Sequence, residues 1–134
     1  MGRSFAAGDE GPLALELLGD PGRLGEVAAL ELSVAANRRV EIPVIDVQLP
    51  PGVEARGALL DTVQAASGVR RAEARYPGFL RIWLSPLSEG TQVAIPLPFR
   101  WTVSGTVRGL GAMAYPEAAP QDLTVLPPRV MNIE

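Results

Sequence analysis

The chain has 134 residues, 47% of them apolar, and a formal net charge of −3 from 12 basic and 15 acidic side chains. That composition excludes a disordered chain and a phosphate-binding face, since the latter needs a clustered basic surplus. Cysteine and histidine are both absent, which rules out a thiolate nucleophile, a Ser-His-Asp triad and a His-based zinc site. In chain order, residues 1–11 read as a flexible lead-in, small and polar without periodicity. Residues 12–134 then read as a single domain of short strands divided by glycine and proline, the pattern of an antiparallel β-sandwich.

Leu13-Ala14-Leu15-Glu16-Leu17-Leu18 is the first expected strand, closed by the turn Gly19-Asp20-Pro21-Gly22. Residues 27–36 follow, with Leu30, Leu32 and Val34 on one face and Glu31 and Ser33 on the other. Residues 40–49 form the next strand, where Pro43 predicts an edge position or a bulge. Pro50-Pro51-Gly52 stops it. From residue 54 to 67, Leu59, Leu60, Val63 and Ala66 recur at helical spacing, and Gly68 stands where a left-handed C-cap belongs. Gly57 weakens the first turn of this flanking helix by roughly 1 kcal/mol relative to alanine.

Residues 69–75 and 79–84 read as a hairpin around Tyr76-Pro77-Gly78. Residues 92–101 carry Val93, Ile95, Leu97 and Phe99 on one face and Pro96 and Pro98 on the other, which predicts an edge strand. The tail holds three short candidate strands, at 103–107, 112–115 and 130–133. Adjacent arginines, Arg38-Arg39 and Arg70-Arg71, are the densest basic spots. Neighbours in a strand point to opposite faces, so neither pair is expected to form a patch.

No apolar run reaches the ~18 residues of a membrane span, and the first residues lack the apolar segment of a signal peptide. All basic residues are arginine, a sign of high-GC coding that points to a bacterial source. Export, if it occurs, would depend on a signal elsewhere, so the chain reads as a fragment of a larger protein.

Ile42-Pro43-Val44-Ile45-Asp46-Val47-Gln48-Leu49-Pro50-Pro51-Gly52 resembles the strand and Pro-Pro-Gly corner before the single helix of the C-terminal, receptor-binding-type domain in the alpha-2-macroglobulin family. Val69-Arg70-Arg71-Ala72-Glu73 and Leu80-Arg81-Ile82-Trp83-Leu84 are similar to the two strands after that helix, and Leu87-Ser88-Glu89-Gly90-Thr91 to the following turn. The resemblance implies a macroglobulin-like sandwich in a bacterial-type, protease-trapping protein. Its partners would be neighbouring domains, a thioester domain among them, and target proteases indirectly. It implies no cofactor, no catalysis and a periplasmic, cell-surface or secreted location, while the charge and the short apolar runs predict no nucleic-acid partner and no membrane insertion. Animal receptor binding uses a lysine-bearing helix face. The helix here offers only Arg56, so that role is not carried over. An independent adhesion or ligand-binding module of a surface protein is the alternative.

Trp83, Trp101, Tyr115 and Arg56 are the candidates for an interaction surface. Exposed tryptophans would offer a stacking platform, whereas core packing is the plainer expectation for them. Tyr115 matches the family's tyrosine segment near the domain's end, and contact with a neighbouring domain competes with packing under the last loop. Asp46 is expected to face solvent or pair with an arginine and not to act as a catalytic base. Glu73, between arginines, predicts a cross-strand ion pair contributing under about 1 kcal/mol. Asp9 and Glu10, like Glu117 and Asp122, are not paired across any expected cleft. Gly105, Gly109 and Gly111 precede no helix and form no phosphate cradle.

Overall fold

The computed structural model describes residues 3–7, 11–20, 22–50, 53, 57–75, 78–98, 100–101 and 104–133. Strict alternation of aliphatic and small or polar residues builds the first sheet. β2 (Leu13–Asp20) pairs antiparallel with β3 (Ala29–Ala36), and Leu15 opposite Val34 and Leu17 opposite Leu32 share one face. β7 (Gln92–Leu97) extends that face with Ile95 beside Leu32 and Leu97 beside Leu30. As Pro96 predicts, β7 is an edge, and it ends before Pro98. On the other edge β1 (Arg3–Ala7) pairs with β2 from Arg3–Gly19 to Ala7–Leu15. An edge strand thus replaces part of the expected flexible lead-in. Backbone pairing along a free edge requires no apolar period, so periodicity gives no sign of it.

The second sheet has the order β10 (Thr124–Leu126), β9 (Ala112–Pro116), β4 (Pro43–Gln48), β6 (Phe79–Leu84), β5 (Val69–Arg75). All its pairings are antiparallel. β4 lies at its centre, not at an edge or bulge. Pro43 is its first residue, where a missing donor removes no interior rung. Ile45, Val47, Leu80, Ile82, Leu84, Ala112, Ala114 and Leu126 turn inward and meet the leucine face of the first sheet in one core. Thr124, also inward and buried, donates its hydroxyl to the Leu13 carbonyl at 2.6 Å and ties the two sheets at one corner. β8 (Gly105–Gly109) and β11 (Arg129–Ile133) form a separate two-stranded ribbon whose Val107, Met131 and Ile133 join the core. Among the described residues the architecture is an all-β, antiparallel sandwich with one helix.

That helix, α1, spans Ala58–Ala65 and packs Leu59 and Val63 into the core; residues 54–56 of the expected helix lie outside the described ones. It starts at Gly57, whose φ is 88°, without a side-chain cap. Its C-cap is Ala66 in an extended conformation. The positive φ of Gly68, 86°, belongs instead to the turn that leads into β5. Gln64 donates to the Ala72 carbonyl at 2.9 Å and so engages one acceptor of the β5 edge.

Candidate functional site

The outer face of the five-stranded sheet is where the chemistry gathers. In β4 the residues turned away from the core are Val44, Asp46 and Gln48, and register sets Trp83, Arg81 and Phe79 beside them on β6. Tyr115 and Met113 flank the same residues from β9, and Arg71, Glu73 and Arg75 continue the face on β5. Val44 is 2% exposed yet lies outside the core cluster, with Trp83 and Tyr115 as its cross-strand neighbours on either side.

Asp46, 7% exposed, is the charge at the centre of this face. It accepts from Arg81 Nε at 2.6 Å and Nη2 at 3.1 Å, a bidentate pair, and from the Tyr115 hydroxyl at 3.2 Å. The hydrogen bond to Asp46 raises the Arg81 pKa, and burial followed by the Asp46 charge raises that of Tyr115. Both carboxylate oxygens are engaged, so Asp46 serves an ion pair, as expected. Burial alongside pairing was not.

Glu73 accepts from Arg71 and from Arg75, the latter at 2.8 Å, and its pKa is lowered, chiefly by the hydrogen bond from Arg71. These pairs run along one strand and are not cross-strand as predicted. Arg81, opposite Glu73, is occupied by Asp46. Arg71 also lies over Trp83, its guanidinium carbon 4.4 Å from the ring centroid, with Arg75 at 5.9 Å.

Arg70 and Arg71 do not follow the alternation expected of neighbours in a strand. The β5–β6 register steps from Val69–Leu84 to Arg71–Trp83, so Arg70 is the extra residue of a β-bulge. Instead of pointing to opposite faces, Arg70 and Arg71 both line a cavity of about 310 Å³ with Ile42, Trp83 and Glu117. A signal for this exists in the sequence. Ala72 is buried and Val69 packs against the core, three positions apart, an odd step that a regular strand cannot make.

Of the predicted interaction residues, Trp83 and Tyr115 come together on this face. Trp101 does not: it is 1% exposed and its ring belongs to the core, so it offers no platform. Arg56 lies outside the described residues. Among the described residues no group of three or more carboxylates could hold a metal ion, and no helix is long and apolar enough to cross a membrane. The sequence reading missed the Asp46–Arg81–Tyr115 network, because its partners are up to 69 positions apart.

No family model and no curated protein matches the chain. Solved structures of bacterial alpha-2-macroglobulins do resemble it. Against Escherichia coli alpha-2-macroglobulin activated by porcine elastase the TM-score is 0.70 at 18% identity, over 97% of this chain and 14% of that one. The native E. coli protein from domain MG7 to the C-terminus gives 0.68 at 18% identity, over 96% and 24%. Salmonella alpha-2-macroglobulin reacted with methylamine gives 0.64 at 22% identity, over 90% and 9%. The fold is shared. The chain spans a quarter or less of the length of each of these relatives.

Proposed function

We propose that the chain is a non-catalytic domain, of the C-terminal type, in an alpha-2-macroglobulin-like protease-trapping protein, and that it acts through contacts with neighbouring domains. The observation that carries this reading is the asymmetry of coverage. Nearly the whole of this fold, 90–97% of the chain, corresponds to 9–24% of much larger proteins, one of them activated by a protease, elastase. The outer face of the five-stranded sheet supports the contact role, because Trp83, Tyr115, Met113 and Val125 leave apolar surface beside fixed charges. On this reading the parent is bacterial and resides in the periplasm, at the cell surface or in the medium.

The test is an immunoblot of the source cells, separated into cytoplasm, envelope and medium, with antibody raised against this domain. A band many times larger than the 14.2 kDa of this chain, in envelope or medium, is the expected result. A band of the chain's own size would sink the proposal. It would favour the second reading, a free-standing ligand-binding module, for which the cavity beside Trp83 is the specific observation.

A further inference from the structure

The bulge in β5 brings two adjacent guanidiniums to one cavity on the outer face. A bulge sets two successive residues against one partner and re-aims their side chains. Here the result is two guanidiniums, Arg70 and Arg71, on one wall of the cavity beside Trp83. Arg71 is held in place, stacked on the indole and bonded to Glu73. Arg70 is exposed, and among the described residues no hydrogen-bonding or ion-pair partner is found for its guanidinium. Around the cavity and the face behind it, Arg70, Arg71, Arg75 and Arg81 stand against Asp46, Glu73 and Glu117. Asp46 is taken by Arg81, and Glu73 is shared by Arg71 and Arg75, so one carboxylate serves two guanidiniums there; with Arg70 and Glu117 added, the set keeps one surplus positive charge on the Arg70–Arg71 side.

The rest of the lining defines what can use that charge. Trp83 and Ile42 supply apolar contact, and Glu117 adds one negative group to the lining. A compact polyanion such as phosphate gains nothing from the apolar lining and, carrying more charge, is repelled by Glu117 more strongly than a single carboxylate is. A single carboxylate on an apolar stem, with apolar neighbours, uses both. The volume of about 310 Å³ lies at the low end for ligand pockets, which suits one or two side chains of a polypeptide. We propose that the cavity formed by Arg70, Arg71, Trp83, Ile42 and Glu117 is a docking site for an acidic polypeptide segment, a glutamate or aspartate flanked by apolar residues. Its carboxylate meets Arg70 and Arg71 while its neighbours pack on Trp83 and Ile42. The inference stands whether or not the parent protein traps proteases.

The experiment is a fluorescence titration of the full chain with a blocked pentapeptide carrying a central glutamate between leucines. The same peptide with glutamine, and inorganic phosphate at equal ionic strength, serve as the comparison probes. Trp101 is buried, so the change should come from Trp83 and vanish in Trp83→Phe. The expected result is a saturable response to the glutamate peptide that weakens about ten-fold or more with the glutamine peptide, and equally in Arg70→Gln. Should Arg70→Gln fold poorly, as its melting curve would reveal, Glu117→Gln gives the opposite prediction, tighter binding by about two- to five-fold. Absence of a saturable response, equal binding of the glutamine peptide, equal competition by phosphate, or weaker binding in Glu117→Gln would each overturn the proposal.

Discussion

Asp46 and Tyr115 lie on neighbouring strands of the outer face, and their energetics can be separated by substitution. Asp46 accepts three hydrogen bonds in a nearly buried position, two of them from Arg81. Replacing it with asparagine leaves a guanidinium without its counter-charge. Because Arg81 remains about a third exposed, water recovers part of the loss. We expect Asp46→Asn to lower stability by about 1–3 kcal/mol, read from the urea midpoint at constant slope. Tyr115→Phe removes one hydrogen bond and should cost about 1 kcal/mol at neutral pH. The tyrosine also makes a pH prediction. Its folded pKa is raised above 10.0 by burial and by Asp46. Between the unfolded and folded values the native state holds more protons, so stability falls as pH rises above about 10. Tyr115→Phe should therefore flatten the alkaline loss of stability. Urea titrations of both proteins at about pH 9 and about pH 11 would measure the difference.

At the scale of the element, the β5 bulge and two glycines decide local geometry. Deleting Arg70 would let Val69 and Ala72 face inward two positions apart, as in a regular strand. The expected outcome is a chain that still folds, with a melting temperature within about 5 °C of the parent, but that no longer responds to the acidic peptide. A collapse of folding would mean that the bulge is needed for the sheet itself. Gly68 combines a φ of 86° with an ideal Cβ position 3.2 Å from Val93 of β7. Alanine there should cost about 1–2 kcal/mol. Gly111 is tighter still, since a Cβ would stand 2.8 Å from the backbone nitrogen and Cδ of Pro128. Gly111→Ala should therefore destabilise by about 2 kcal/mol or more, because neither ring nor backbone moves freely. Thermal melts of both variants check the order.

At the scale of the molecule, stability rests on two facing sheets, and Trp101 is among the largest side chains wholly enclosed by them. Trp101→Ala should cost about 3–5 kcal/mol, enough to unfold much of the chain at moderate temperature in calorimetry. The alternation of Leu13 to Leu17 and Leu30 to Val34, the hairpin of β5 and β6, the edge character of β7 and the single helix were all legible in the sequence. Each depends on side chains within one short segment, whose period and breakers report directly which face is buried. β1 and β10 were not legible, because an edge strand takes its hydrogen bonds from a neighbour and needs little apolar pattern of its own. The same reason governs the site. That Trp83 and Tyr115 would flank Val44, that Asp46 would find Arg81, and that Trp101 would vanish into the core follow only from strand order and register. Local sequence thus determined which segments become strands, helix and turns, because those choices rest on neighbours in the chain. Tertiary structure alone decided which charges meet across strands and which aromatic rings stay at the surface, because those contacts join residues far apart along it.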